Sequence, residues 1–110
     1  MSGARHRLTL EAPRRVADGI GGQATQWTAL GALWCEMRAS TAREARGEVG
    51  PVSTTVWAIT TRAARLGDPR RPHPGQRLRM GARVFRIEAV AEADASGRWL
   101  TCHAVEESGS

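Results

Sequence analysis

Hydrophobic residues alternate with polar residues over several short stretches of this chain, which is the pattern of β-strands that bury one face. The first two stretches are residues 7–12 and 25–38. Between them, residues 18–22 contain three glycines, whose freedom to adopt positive φ suits a hairpin turn. The pattern predicts two strands whose core-facing residues are Leu8, Leu10, Leu33, Cys35 and Met37.

A third strand is predicted over residues 52–62. This stretch is rich in Val, Thr, Ile and Trp, which are the residue types that favour a pleated sheet. Val56 and Ala58 share one face of the predicted strand, and Trp57 and Ile59 share the other.

The segment 39–51, between the second and third strands, is too polar to belong to a core. It contains a helix-capping pattern, Thr41-x-x-Glu44, but Gly47 leaves room for only about two helical turns. We therefore expect a long loop that carries a short, frayed helical turn.

The last third of the chain predicts three antiparallel strands that follow one another as a meander. Residues 66–76 precede them and hold three prolines, which exclude a helix or a central strand and indicate a surface loop. The predicted order is a strand at 76–80, a turn at 81–82, a strand at 83–91, a turn at 94–97 and a strand at 98–105. The inward-facing residues of the two longer strands are Phe85, Ile87, Ala89, Leu100, Cys102 and Ala104.

Six short strands without a long helical pattern indicate the all-β class. A chain of 110 residues is long enough for one core and too short for two. We predict a single domain over residues 1–110, with flexible ends at about 1–5 and 107–110. Its fold is predicted to be a small antiparallel β-barrel or sandwich of about six strands, with one long loop between strands two and three.

Charge is distributed unevenly along the sequence. The net charge of +5 arises from 16 arginines, without any lysine, against 11 acidic residues. This composition fits either the codon usage of a GC-rich genome or selection for contact with nucleic acid. Residues 62–79 hold six arginines and one acid, a net +5, whereas residues 88–107 hold five acids and one arginine, a net −4. The sequence therefore predicts one basic and one acidic region.

The sequence lacks the motifs of common enzyme sites, including GxSxG, the P-loop, HExxH and the glycine-rich dinucleotide turn. His6, His73 and His103 lie in separate segments, and Cys35 and Cys102 lack the spacing of a zinc site. We expect both cysteines to be small buried hydrophobic residues. No apolar run reaches the roughly 20 residues of a membrane span, and the first residues lack the apolar stretch of a signal peptide. We predict a non-enzymatic protein of the cytoplasm with no cofactor, metal or membrane partner.

The tryptophans allow two interpretations. Exposed indoles beside basic residues form stacking platforms for single-stranded nucleic acid in some small β-barrels. Here Trp27, Trp34, Trp57 and Trp99 are spread along the chain, and a small β domain needs large side chains for its core. Packing in the core or at a subunit interface is the favoured interpretation.

Several motifs occur in a characteristic order over about residues 5–107. They are Arg7-Leu-Thr-Leu10, Asp18-Gly-Ile-Gly-Gly22 before Trp27, Leu33-Trp34, Ile59-Thr-Thr-Arg62, Gly81-Ala-Arg-Val-Phe85-Arg-Ile87 and Trp99-Leu100-Thr-Cys102. In this order the chain resembles the phage head-tail joining family, also called head closure or stopper proteins, which is also found in gene transfer agents. Thr61 and Cys35 depart from the pattern, since the family tends to have an apolar residue at the first position and alanine at the second.

The resemblance implies a homo-oligomeric ring at the head-tail joint of a virion or particle, beneath the portal and adaptor proteins. Such a ring continues the channel for double-stranded DNA, retains the packaged DNA, and offers its lower face to a tail terminator or tail tube. Assembly would take place in the bacterial cytoplasm. The family's channel-facing element is the loop between strands two and three, here about residues 39–51. The residues expected to face the channel are Thr41, Arg43, Glu44, Arg46, Glu48 and Val49.

The uneven charge suggests how subunits of such a ring could meet. A ring joins two different patches of the same subunit, and opposite charges favour their pairing. We expect the basic segment to contact either the acidic segment of the next subunit or the adaptor. The expected interface residues are Arg62, Arg65, Arg70, Arg71, Glu106 and Glu107.

Two other functions remain open at the level of sequence. A tail terminator is also a small ring-forming protein, although the absence of a convincing long helix argues against it. A small β-barrel that binds nucleic acid through its tryptophans and arginines is the alternative from another class.

Overall fold

All six predicted strands are present in a computed structural model of the chain, which describes residues 4–47 and 50–109. These described residues form strands, turns and loops without a helix, so the predicted all-β class is confirmed. Most of the strands are longer than predicted because polar flanking residues also pair. In chain order the strands are β1 (Arg5–Ala17), β2 (Gln23–Gly47), β3 (Gly50–Arg62), β4 (Arg77–Met80), β5 (Arg83–Glu92) and β6 (Trp99–Gly109).

The strands form one antiparallel sheet that closes into a barrel in the order β1-β2-β3-β6-β5-β4. The predicted meander of β4, β5 and β6 is confirmed, and β6 lies between β5 and β3. The barrel closes where β4 pairs with β1 through three residue pairs. Closure at this short seam removes the free edges that an open sheet would present.

The interior of the barrel is filled by apolar side chains from all six strands. Phe85, the single phenylalanine, is fully buried, and small or aliphatic residues surround it. Cys35 and Cys102 are fully buried free thiols, as predicted. The other predicted core residues that are buried are Leu8, Leu10, Leu33, Ile87, Leu100 and Ala104, and Met37 is partly buried against them. Ile59, whose face was not assigned, is also fully buried.

Three β-bulges shift the register of the sheet. The residues that they insert are Leu30 opposite β1, Ser40 opposite β3 and Glu88 opposite β6. The bulge at Glu88 reverses the alternation that follows it, so Ala89 is exposed and Val90 packs against the core. The prediction that Ala89 faces inward is therefore wrong.

The predicted long loop at 39–51, with its helical turn, is also wrong. β2 runs to Gly47 and β3 begins at Gly50, and residues 39–47 pair with residues 50–57 apart from the bulge. Backbone pairing does not require apolar side chains, and β3 offers a ladder rich in β-branched residues. The capping pattern does not start a helix because pairing with β3 provides the backbone hydrogen bonds instead.

A three-stranded ribbon projects from the barrel. The pairing of β5 with β6 begins at Arg86↔Val105, so residues of β6 after Val105 have no partner on β5. Past this point β2, β3 and β6 continue together. We call this ribbon the arm and define it as residues 41–47, 50–56 and 106–109. The molecule measures 47 × 33 × 22 Å and its radius of gyration is 15.2 Å. A compact domain of this length has a radius of gyration of about 13 Å, so the arm makes the molecule elongated.

Glu11 holds the seam between β1 and β4. Its carboxylate accepts hydrogen bonds from Nε of Arg77 at 2.7 Å and from Nε of Arg79 at 3.0 Å. These arginines flank the buried Leu78, so polar contacts hold the outer side of the seam and an apolar contact holds the inner side. Burial alone would raise the pKa of Glu11, but the hydrogen bonds and positive charges of the two guanidinium groups together outweigh it and lower the pKa below its ordinary value. Arg77 also lies 4.1 Å above the ring of Trp27, which fixes it from the other side.

The proline-rich segment is a loop, as predicted, and spans residues 63–76. It is ordered by its own hydrogen bonds, including one from Nη1 of Arg71 to the carbonyl of Ala64 at 2.7 Å. Pro72 is fully buried, so the loop folds against the barrel rather than extending into solvent.

We expect both thiols to be unreactive in the folded protein. Burial raises the pKa of Cys35 to about 11 and that of Cys102 to about 12, so very little thiolate forms near neutral pH. DTNB should titrate neither cysteine in the native protein and both after unfolding in guanidinium chloride. Rapid reaction of the native protein would contradict the closed core.

We expect Glu11→Gln to lower the free energy of unfolding by about 2 kcal/mol, because it removes a charged acceptor of two hydrogen bonds. The folded-state pKa of Glu11 lies below its ordinary value of 4.5, so its contribution is complete above that pH. The contribution is lost as the pH falls through the folded-state pKa. Urea unfolding should therefore show a difference between wild type and variant that shrinks in acid.

Glu107→Gln is the matched control for this variant. Glu107 pairs with Arg86 at 2.8 Å, but about half of each side chain is exposed (54% and 53%). An exposed pair of this kind contributes less than about 1 kcal/mol. Equal losses in the two variants would mean that Glu11 does not hold the seam.

Candidate functional site

The arm carries four of the six residues that the sequence predicted to face a channel. Those on β2 are paired with residues 51–56 of β3, so they lie on a hairpin rather than in a loop. Glu48 and Val49 lie outside the described residues. The backbone partners of the other four are Thr41↔Val56, Arg43↔Thr54, Glu44↔Ser53 and Arg46↔Pro51.

A polar cluster holds the base of the arm. Glu106 accepts hydrogen bonds from Arg83 at 2.7 and 2.8 Å and from the indole Nε1 of Trp57 at 3.0 Å. The hydrogen bonds with Arg83 are the main reason that the pKa of Glu106 is lowered and that of Arg83 is raised. Arg83 also covers the rings of Trp57 and Phe85, at 5.5 and 5.1 Å from their centroids. Glu106 is therefore already paired within its own chain.

The other residues predicted at an interface differ in how far they are already paired. Glu107 pairs with Arg86 but remains exposed, and Arg65 is exposed. Arg71 is turned into its own loop, whereas Arg70 bonds to Asp68 at 3.2 Å with most of its side chain exposed.

An open groove of about 410 Å³ lies at the end of the barrel where β3 ends and β6 begins. Arg5, Arg62 and Arg70 line it together with two tryptophans, Trp34 and Trp99. Its described lining includes no acidic residue. We call this site the arginine–tryptophan groove. It brings together Arg62 and Arg70 of the predicted interface, whereas Arg65 and Arg71 do not line it.

The sequence reasoning did not identify Arg5, Trp34 and Trp99 as members of one site. Alternation along β2 places Trp34 on the other face of the strand from Leu33 and Cys35, which indicates that its side chain faces outward. Its proximity to β1 and β6 depends on barrel closure, which no local pattern reports.

Packing in the core is one of the two arrangements favoured for the tryptophans from the sequence. In the structure the tryptophans do not fill the core. Trp57 packs against the edge of the core, and Trp34 is 60% exposed. The barrel is narrow enough for aliphatic residues and one phenylalanine to fill it. Arginines cover the rings of three tryptophans on the outer surface, and the pairs are Arg77 on Trp27, Arg83 on Trp57, and Arg5 and Arg62 on Trp99.

Two kinds of feature are absent from the described part of the chain. Over residues 4–47 and 50–109, no group of three or more His, Cys, Asp or Glu residues is placed to hold a metal ion. In the same part of the chain, no helix is long and apolar enough to cross a membrane.

The fold and its surface define a class of protein: a small closed antiparallel β-barrel with a projecting arm and an arginine-rich outer face. The sequence model of the family described as phage head completion protein matches residues 2–107. The chain therefore belongs to the phage head completion protein family, which confirms the resemblance found in the sequence.

One solved structure supports this relationship. The chain is similar to a chain in the virion of a native gene transfer agent particle, with 46% sequence identity and a TM-score of 0.85. The similarity covers 96% of each chain. No curated protein matches the sequence.

Proposed function

We propose that this protein is a structural head closure protein, or stopper, of a tailed phage or gene transfer agent particle. In this role it forms a homo-oligomeric ring that continues the DNA channel at the head-tail joint. Portal and adaptor proteins lie on one side of the ring, and a tail terminator or tail tube lies on the other. The observation that carries the proposal is the family match over residues 2–107, together with the similarity to a gene transfer agent chain.

The arm is the part of the fold best suited to line the channel. It projects from the barrel, and pairing of three strands makes it stiffer than a free loop. Duplex DNA carries one negative charge for about every 1.7 Å of its axis, so a basic lining would retain it. In the segment 39–51, Arg43 and Arg46 are balanced by Glu44 and Glu48, which gives a net charge of zero. A stiff hairpin without excess positive charge allows DNA to pass.

The surface of the barrel supplies the contacts between subunits in this proposal. A ring needs two different, complementary patches on each subunit. Exposed Arg62, Arg65 and Arg70 supply positive charge, and exposed Glu107 supplies negative charge. Glu106 and Arg71 act from within their own subunit, by fixing the arm and the loop that carry these patches. Protein-to-protein pairing of this kind requires no catalysis and no cofactor.

Cryo-electron microscopy of intact particles tests this function directly. We expect a ring of this chain around the channel, with the arm pointing inward and residues 62–79 facing an acidic surface of a neighbouring chain. Complete head-tail joints built without this chain would overturn the proposal. A ring whose arm points outward would retain the connector function but reject the channel-facing role of the arm.

A change of charge in the segment 39–51 tests its role in the channel. Glu44→Arg combined with Glu48→Arg changes the net charge of the segment from zero to +4. We expect particles to assemble but to release DNA several-fold more slowly, with the delay decreasing at high salt because added ions screen the attraction. Release kinetics of purified particles provide the measurement.

The matched control exchanges Arg43 and Glu44, which changes two side chains but keeps the net charge at zero. We expect this variant to release DNA at the wild-type rate. Equal delays in the two variants, or a delay that does not depend on salt, would show that the charge of the segment 39–51 does not control passage.

A further inference from the structure

Arg5 and Arg62 stack on a tryptophan as Arg77 and Arg83 do, but they differ from those two arginines in their ion pairing. Both guanidinium groups lie 5.8 Å from the ring centroid of Trp99, at the mouth of the arginine–tryptophan groove. Neither forms an ion pair with a carboxylate within the part of the chain that the structure describes. The arginines that do form ion pairs there are Arg70, Arg77, Arg79, Arg83 and Arg86.

The walls of the groove are held in place by the fold. The hydroxyl of Thr61, which is buried, donates a hydrogen bond to the carbonyl of Trp34 at 3.1 Å and fixes the strand that carries this indole. Arg70 forms another wall, and its side chain passes so close to Gly31 that a Cβ there would lie 2.9 Å from it. Because Arg70 pairs with Asp68, the unpaired positive charge of the groove comes from Arg5 and Arg62.

We propose that the arginine–tryptophan groove binds an acidic peptide segment of a neighbouring protein chain. Carboxylates of that segment pair with Arg5 and Arg62, whose planar guanidinium groups bind carboxylates through two parallel hydrogen bonds. An apolar side chain of the segment packs on the exposed face of Trp34. The inference deepens the proposed function by naming the chemistry of one contact, and it involves the barrel rather than the arm.

The shape of the site favours peptide over duplex DNA. A groove of about 410 Å³ accommodates a few side chains of an extended segment. A duplex is a wide convex rod whose phosphates would touch only the rim, and its thymine methyl groups lie inside the major groove, away from an indole on a protein surface. The combination of two free guanidinium groups and an exposed indole matches carboxylates that alternate with apolar side chains.

Nuclear magnetic resonance of the full-length protein tests the proposal through its four indole N–H signals, one for each tryptophan. Trp34→Phe and Trp99→Phe assign the two signals of the groove. The probe is a capped peptide with two glutamates on each side of a leucine, and the reference peptide has glutamine in place of glutamate. We expect the acidic peptide to shift the signals of Trp34 and Trp99, in a saturable manner, without shifting that of Trp27.

The charge requirement is tested with two double variants of equal net charge. We expect Arg5→Gln with Arg62→Gln to weaken binding of the acidic peptide at least tenfold. The control is Arg14→Gln with Arg15→Gln, because both side chains are exposed. Arg14, the nearer of the two, lies about 30 Å from Arg5 along β1. The control should bind within twofold of wild type. Thermal unfolding of both variants verifies that each is folded.

Several results would overturn the proposal. They are the absence of saturable shifts at millimolar peptide, equal binding of the glutamine peptide, and equal weakening in the two double variants. If duplex DNA shifts the indole signals of Trp34 and Trp99 more strongly than the peptide does, the groove is a nucleic-acid site instead. None of these results would affect the ring or the channel-facing arm, which are tested in particles, so the two proposals fail separately.

Discussion

Closure of the barrel at the seam between β1 and β4 is the constraint on which the remaining structure depends. β4 has only four residues, and three residue pairs join it to β1. Such a short ladder is weak by itself, so side chains stabilise it from both sides. Leu78 packs into the core, while Glu11 binds Arg77 and Arg79 on the outside. With the seam closed, the sheet has no free edge around the barrel, and the arm projects from a rigid base.

The sequence predicted those parts of the fold in which alternation continues without interruption. β1, β6 and the inward residues up to Ile87 follow directly from period-two patterning. Ala89 was assigned to the wrong face because the bulge at Glu88 leaves no signature in hydrophobicity. Polar side chains make the segment 39–51 resemble a loop in sequence, whereas the pairing of residues 39–47 depends on the backbone of β3. The arginine–tryptophan groove could not be predicted, since it joins positions that only barrel closure brings together.

Arginine has a structural use in this protein that lysine could not fulfil. The guanidinium group of Arg77 donates a hydrogen bond to Glu11 from its edge, and its flat face covers the ring of Trp27. The guanidinium group of Arg83 forms the same two contacts with Glu106 and Trp57. A planar guanidinium can form both contacts at once, whereas an ammonium group acts as a point charge. These contacts form a second layer of packing outside the barrel, which allows the large indoles to remain on the surface. The excess of arginine is therefore part of the architecture, whatever its origin in codon usage.

The position of β6 has a consequence for how the protein folds during synthesis. β6 is last among the strands in chain order, yet it lies between β3 and β5 and also forms the third strand of the arm. Until residues 99–109 have been made, the edges of β3 and β5 have no partner, and exposed edges of this kind pair with strands of other chains. The nascent protein thus passes through a stage that is prone to aggregation, and insertion of a single strand ends that stage for the barrel and the arm at the same moment.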